Sequence, residues 1–127
     1  MKLIICIVKW VTITIGALVL IVNALVYRME AKSRSAVTDW ATSVSTEDNG
    51  KYTVKYSFIS ESLIYLKLHE SATNELLATR TYRAGNIAQL NWTKDHLGYD
   101  TTEQSWFDRG KIDLPPSKLD KFLTYLP

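Results

Sequence analysis

Between Lys9 and Arg28 the chain runs for 18 residues, Trp10 to Tyr27, in which the only polar side chains are Thr12, Thr14 and Asn23. As a helix rising ~1.5 Å per residue this stretch covers roughly 27 Å, close to the ~30 Å hydrocarbon core of a bilayer. Isolated threonines are tolerated in such a helix, because their hydroxyls bond back to the preceding turn. Residues 1–30 therefore read as a transmembrane anchor, with the lipid bilayer as partner of residues 10–27. The competing reading is a secretory signal, with Val22-Asn23-Ala24 ahead of a cut. The apolar run continues past Ala24 through Leu25, Val26 and Tyr27, longer than the ~7–15 residues of a signal h-region, and this favours a retained anchor. Lysine and arginine are balanced across the two flanks, and the signal-like layout points to the tail inside and the domain outside.

The anchor also accounts for the net charge. The chain has 15 basic and 13 acidic residues, net +2, and that excess lies wholly within residues 1–30, which hold Lys2, Lys9, Arg28 and Glu30. The remainder, residues 31–127, is neutral, so nucleic acid, which needs a clustered basic face, is not an expected partner. The single cysteine, Cys6, precedes the apolar run. The rest of the chain accordingly has no disulfide, no thiolate metal site and no cysteine nucleophile.

Residues 31–39 are small and polar, a tether, and 40–127 are expected to form one soluble antiparallel β domain. From Trp40 the pattern has period two. Trp40, Thr42, Val44 and Thr46 alternate with smaller residues, and Tyr52, Val54, Tyr56 and Phe58 alternate with Lys51, Thr53, Lys55 and Ser57, the signature of half-buried strands. Asp48-Asn49-Gly50 marks the turn between them. A three-residue loop with Gly50 left-handed would set Val44 opposite Val54 and keep apolar side chains together, whereas a two-residue loop would not. Leu63–His69, Leu76–Arg83 and Ile87–Trp92 supply three more strands, with a turn at Gly85-Asn86. Weaker strand signals appear at 97–101 and 105–107. The fold class is thus mainly β: an antiparallel meander of about five strands behind one transmembrane helix, ending in a short C-terminal helix. That helix begins near Lys118, with Ser117 and Asp120 as an acidic capping box. Leu119, Phe122, Leu123 and Leu126 form one apolar stripe expected to cover the sheet.

Chemistry is sparse. His69 and His96 are the only histidines, and Asp95, His96 and Asp100 have no recurrent ligand spacing, so they read as solvated loop residues. No nucleophile elbow, phosphate loop or dinucleotide fingerprint is present. No catalytic residue, metal or cofactor is expected. The stretch holding Trp92, His96, Tyr99, Asp100, Trp106, Phe107 and Asp108 mixes large aromatics with carboxylates, as an interface hot spot does. It is the candidate protein-binding surface, although the same aromatics would also complete a small core. The sheet face carrying Lys51, Thr53 and Lys55 reads as a solvated, tolerant rim.

The order of an N-terminal membrane segment, a Trp-led strand, Asp-Asn-Gly-Lys-Tyr, Leu-Leu-Ala-Thr-Arg-Thr-Tyr and Ile-Asp-Leu-Pro-Pro-Ser-Lys-Leu-Asp resembles small envelope-anchored proteins of enteric bacteria. Some of these are immunity proteins against antibacterial toxins. The resemblance spans most of 40–127 and carries no functional residue to a position here. It implies a single-pass inner-membrane protein with a periplasmic domain that neutralises a protein partner, such as a toxin, by stoichiometric binding. The alternatives are a structural or accessory envelope protein, including a phage-derived exclusion protein, and a small envelope hydrolase using His96.

Overall fold

Alternation along the middle of the chain produces a sheet with one dry face. The computed structural model describes residues 1–85, 87–101 and 110–127. They form an N-terminal helix α1 (Lys2–Ser35), seven strands, β1 (Ala41–Val44), β2 (Tyr52–Phe58), β3 (Leu63–Glu70), β4 (Leu76–Arg83), β5 (Leu90–Trp92), β6 (His96–Tyr99) and β7 (Lys111–Asp113), and a terminal helix α2 (Lys118–Leu123). The chain divides into two units, Met1–Ala36 and Val37–Pro127.

The first unit is one helix long and apolar enough to cross a membrane. Its polar side chains turn inward onto their own backbone. Thr12 Oγ1 donates to the Val8 carbonyl at 2.9 Å, Thr14 Oγ1 to Trp10 at 2.8 Å and Asn23 Nδ2 to Val19 at 2.8 Å. The helix runs on to Ser35, so residues 31–35, read from sequence as tether, are helical. Ala31, Lys32 and Arg34 are good helix formers and no Gly or Pro intervenes, while Glu30 and Arg34 pair one turn apart at 3.7 Å.

In the second unit β1-β2-β3-β4 form one antiparallel sheet and β5-β6-β7 another. The mainly β class, the apolar N-terminal helix and the short C-terminal helix are as the sequence predicts. The fifth strand opens a second sheet instead of extending the meander. A four-stranded sheet with one apolar face needs a cover, and the short strands provide it. Val54, Ile64, Leu66 and Leu68 from the first sheet and Leu97, Tyr99 and Ile112 from the second share one buried core. Tyr82 and Tyr99 meet there with ring centroids 4.4 Å apart. The turn residue Asn86 and the strand expected at 105–107 lie outside the described residues.

The first hairpin departs from the expected register. Val44 faces Thr53, and Ser43 faces Val54, one step beyond the Val44–Val54 pairing. Ser43 and Ser45 consequently lie on the inward side, and Val44 is exposed. Polar partners inside the fold decide this. The Trp92 indole Nε1 donates to Ser43 Oγ at 2.9 Å, and Ser45 Oγ accepts from the Tyr52 amide at 3.1 Å. The closing loop therefore spans 45–51. Gly50 is still left-handed, at φ 76°, beside Asn49 at φ 52°.

At the C-terminus, Ser117 and Asp120 form the expected capping box: Ser117 Oγ accepts from the Asp120 amide, and Asp120 Oδ2 accepts from the Ser117 amide, each at 3.1 Å. The stripe does not cover the sheet, however. Leu119 and Phe122 are 64% and 62% exposed, and Leu123, Tyr125 and Leu126 are exposed as well. The buried residue of α2 is Asp120, whose Oδ1 is bonded and ion-paired to Arg80 Nη2 on β4. Arg80 points inward at the free edge of the first sheet, and a six-residue helix satisfies that charge better than it could bury a stripe. Burial pushes the Asp120 carboxyl up, but the hydrogen bonds from Arg80 and Ser117 and the Arg80 charge outweigh it, holding the carboxyl below the usual range.

Two glycines should report on this architecture. A Cβ at Gly110 (φ 70°) would stand 2.9 Å from the Tyr99 carbonyl oxygen, and one at Gly50 would meet only the Val44 methyl at 3.3 Å. Gly110→Ala is expected to cost about 2 kcal/mol and Gly50→Val about 1 kcal/mol in denaturant melts, from strained backbone in both and a backbone clash at Gly110. The reverse order would contradict the β6–β7 geometry.

Candidate functional site

The residues nominated by sequence separate in the structure. Tyr99 is a correction: it alternates with Gly98 on β6, shares the inward side with Leu97 and is only 5% exposed. It is a core residue and presents no surface to a partner. Trp92 is half-buried against the same core with its indole committed to Ser43. His96 is half-buried, and its Nδ1 lies 3.0 Å from Thr93 Oγ1, which donates to the His96 carbonyl and accepts from the His96 amide. Asp100 is exposed, its amide donating to the Gln89 carbonyl at 3.2 Å. Trp106, Phe107 and Asp108 lie outside the described residues. Among the described residues no group of three His, Cys, Asp or Glu side chains is placed to hold a metal ion.

Two surfaces to which the sequence reading gave other roles, a covering stripe and a solvated rim, are prominent instead. The first is the exposed apolar side of α2 and the residues after it: Leu119, Phe122, Leu123, Tyr125 and Leu126. With Asp120 turned inward, the outward charges on this helix are Lys118 and Lys121. Scattered apolar residues need no explanation, whereas contiguous exposed ones are characteristic of contact surfaces in general.

The second is the outward face of the four-stranded sheet. Trp40, just before β1, packs on Tyr65 of β3 with ring centroids 5.8 Å apart, tilted by 57°. The Lys67 ammonium lies 4.8 Å from the Trp40 ring and 5.3 Å from that of Tyr65, a cation–π arrangement on both. Beside it, Thr38, Asp39, Trp40, Ala41, Tyr56, Ser57 and Phe58 line an open groove of about 670 Å³. The groove forms because β1 starts only at Ala41, opposite Tyr56, leaving the last two residues of β2 without a strand on that side.

His69 sits at the end of this face. Its Nδ1–H donates to the Asn74 carbonyl at 3.2 Å, and Nε2 is buried without a hydrogen-bond partner among the described residues. Burial lowers its pKa, the Asn74 bond raises it, and the charges of Lys55 and Lys67 lower it further; the net effect is downward. No protein-family model, curated protein or solved structure matches this chain.

Stability measurements separate these roles. Tyr99→Ala is expected to cost about 3 kcal/mol, the size of a core aromatic truncation, whereas Asp100→Ala should leave the melting transition in place. The depressed His69 pKa gives stability that is complete above the unfolded-state value of about 6.5 and is lost as pH falls through the folded-state value. Melting temperatures should therefore drop on acidification below that point, and His69→Gln should flatten the drop.

Proposed function

We propose that this protein is a membrane-anchored binding domain, held at the periplasmic face of a bacterial inner membrane by α1, which neutralises a protein partner there by stoichiometric contact. The observation that carries the reading is the outward apolar stripe of α2. A helix of this size normally docks through its hydrophobic side. Here the docking is done by Asp120 and Arg80, and Leu119, Phe122 and Leu126 are left as ready-made contact area. The anchor supports the location. Its length matches a bilayer, and its threonines and asparagine are already bonded to their own helix. An immunity-type role, in which the partner is a toxin acting in the same compartment, accords with the resemblance to envelope-anchored immunity proteins.

The test is co-expression with the toxin-sized product of a neighbouring gene, directed to the periplasm. Wild type should protect, with the intact chain in the membrane fraction after carbonate washing. Phe122→Ser should fold and yet lose protection, since truncating a central apolar contact typically costs ~2 kcal/mol, roughly thirtyfold in affinity. A version lacking residues 1–30 and kept in the cytoplasm should not protect. Equal protection by that version would refute the site of action. No protection by wild type, with the protein correctly located, would favour a structural role in the envelope. A mature N-terminus at Leu25 would refute the anchor.

A further inference from the structure

On the outward face of the four-stranded sheet, Lys55 of β2 stands directly opposite Lys67 of β3. Side chains so placed lie about 5 Å apart at Cβ, and like charges there destabilise a sheet. Structural reasons would favour an acid at one of the two positions, or a threonine such as the neighbours on either side, Thr42 and Thr79. Neither lysine is relieved by a carboxylate: neither forms an ion pair among the described residues, and no outward position of β1–β4 carries Asp or Glu. Both side chains are half-buried rather than splayed into solvent. Lys67 also lies over two aromatic rings that pack on each other, so its ammonium is positioned before any ligand arrives, which lowers the cost of binding. The groove ending at Phe58 adjoins it, with Trp40, Ala41, Tyr56 and Phe58 as its apolar lining and Asp39 at its β1 end.

We propose that this face, centred on Lys55 and Lys67 with Trp40 and Tyr65, recognises the carboxylates of an acidic protein segment. The proposal rests on the protein-binding role and adds the chemistry of the partner on a second surface. A carboxylate of that segment accepts hydrogen bonds from both ammonium groups, replacing a repulsion by two charge-assisted contacts, while an adjoining apolar side chain enters the groove beside Trp40. Charge placement separates this ligand from a bilayer surface. Attraction to anionic lipid takes clusters of about 4–8 basic residues, whereas on this face Lys55 and Lys67 form a single directly opposed pair, with Lys51 before β2 and Arg83 at the end of β4.

The experiment uses the full chain in nanodiscs of neutral phosphatidylcholine, titrated with poly-L-glutamate and, separately, with phosphatidylglycerol vesicles. Wild type should bind poly-L-glutamate. The Lys55→Gln/Lys67→Gln variant should bind it at least about tenfold more weakly, and Lys55→Arg/Lys67→Arg should retain most of the affinity. The glutamine variant should melt no lower than wild type, because it removes a like-charge pair, and this separates lost recognition from lost folding. Equal binding by wild type and the glutamine variant would overturn the proposal, as would binding confined to phosphatidylglycerol vesicles or no binding of poly-L-glutamate by wild type. These arms read the sheet face alone. A domain that binds poly-L-glutamate through the lysines but protects against no toxin would refute the neutralisation role and leave this site standing, and the converse result would do the opposite.

Discussion

The inward face of the four-stranded sheet has to be kept from water, and everything else in the β domain is arranged around that requirement. Val54, Ile64, Leu66 and Leu68 are fully buried, and their cover is Leu97, Tyr99 and Ile112, from a sheet whose three strands are only three or four residues long. Strands this short have little pairing energy of their own. They are held by the core they close, by the Trp92 indole on Ser43 and by the tight Gly110–Tyr99 approach. The Trp92 bond also explains why an inward position of β1 is a serine. A polar joint between the sheets satisfies two half-buried groups that would otherwise lack a partner.

The same economy governs the C-terminus. Arg80 lies inward on an edge strand, and an unpaired guanidinium there would be costly. Asp120 meets it while also closing the capping box with Ser117. A single carboxylate thus orients α2, caps it and neutralises the sheet edge. The orientation that results puts the hydrophobic side of the helix outward.

Period and turn chemistry made much of this legible in the sequence. The strands at 52–58, 63–69 and 76–83, the left-handed Gly50, the Ser117 cap and the membrane-length helix are all local features, written in side chains within a few residues of one another. The features that stayed hidden depend on partners distant in the chain. The Val44–Val54 register maximised apolar pairing, and lost to hydrogen bonds from Trp92 and Tyr52 that local alternation cannot reveal. The α2 stripe was expected to face inward because stripes usually do, but Arg80, forty positions away, decided otherwise. Among the candidate site residues, Tyr99 joined the core and Trp92 was drawn against it, since an aromatic in a short strand reads alike as core or interface. The Lys55 face read as an inert rim because the strand bearing Lys67 could not be put in register with it by inspection. Only the pairing of β2 with β3 turns two scattered lysines into neighbours.

That pairing ties the behaviour of the domain to the ions around it. Dissolved salt screens the repulsion between Lys55 and Lys67, with a Debye length of about 10 Å at 0.1 M, and so relieves the sheet where it is least comfortable. The same counter-ions occupy the space in which an acidic ligand would lie. Raising ionic strength should thus steady the empty domain and weaken the hold of these lysines on an acidic ligand together, so that one variable, the salt around the sheet, trades stability against binding.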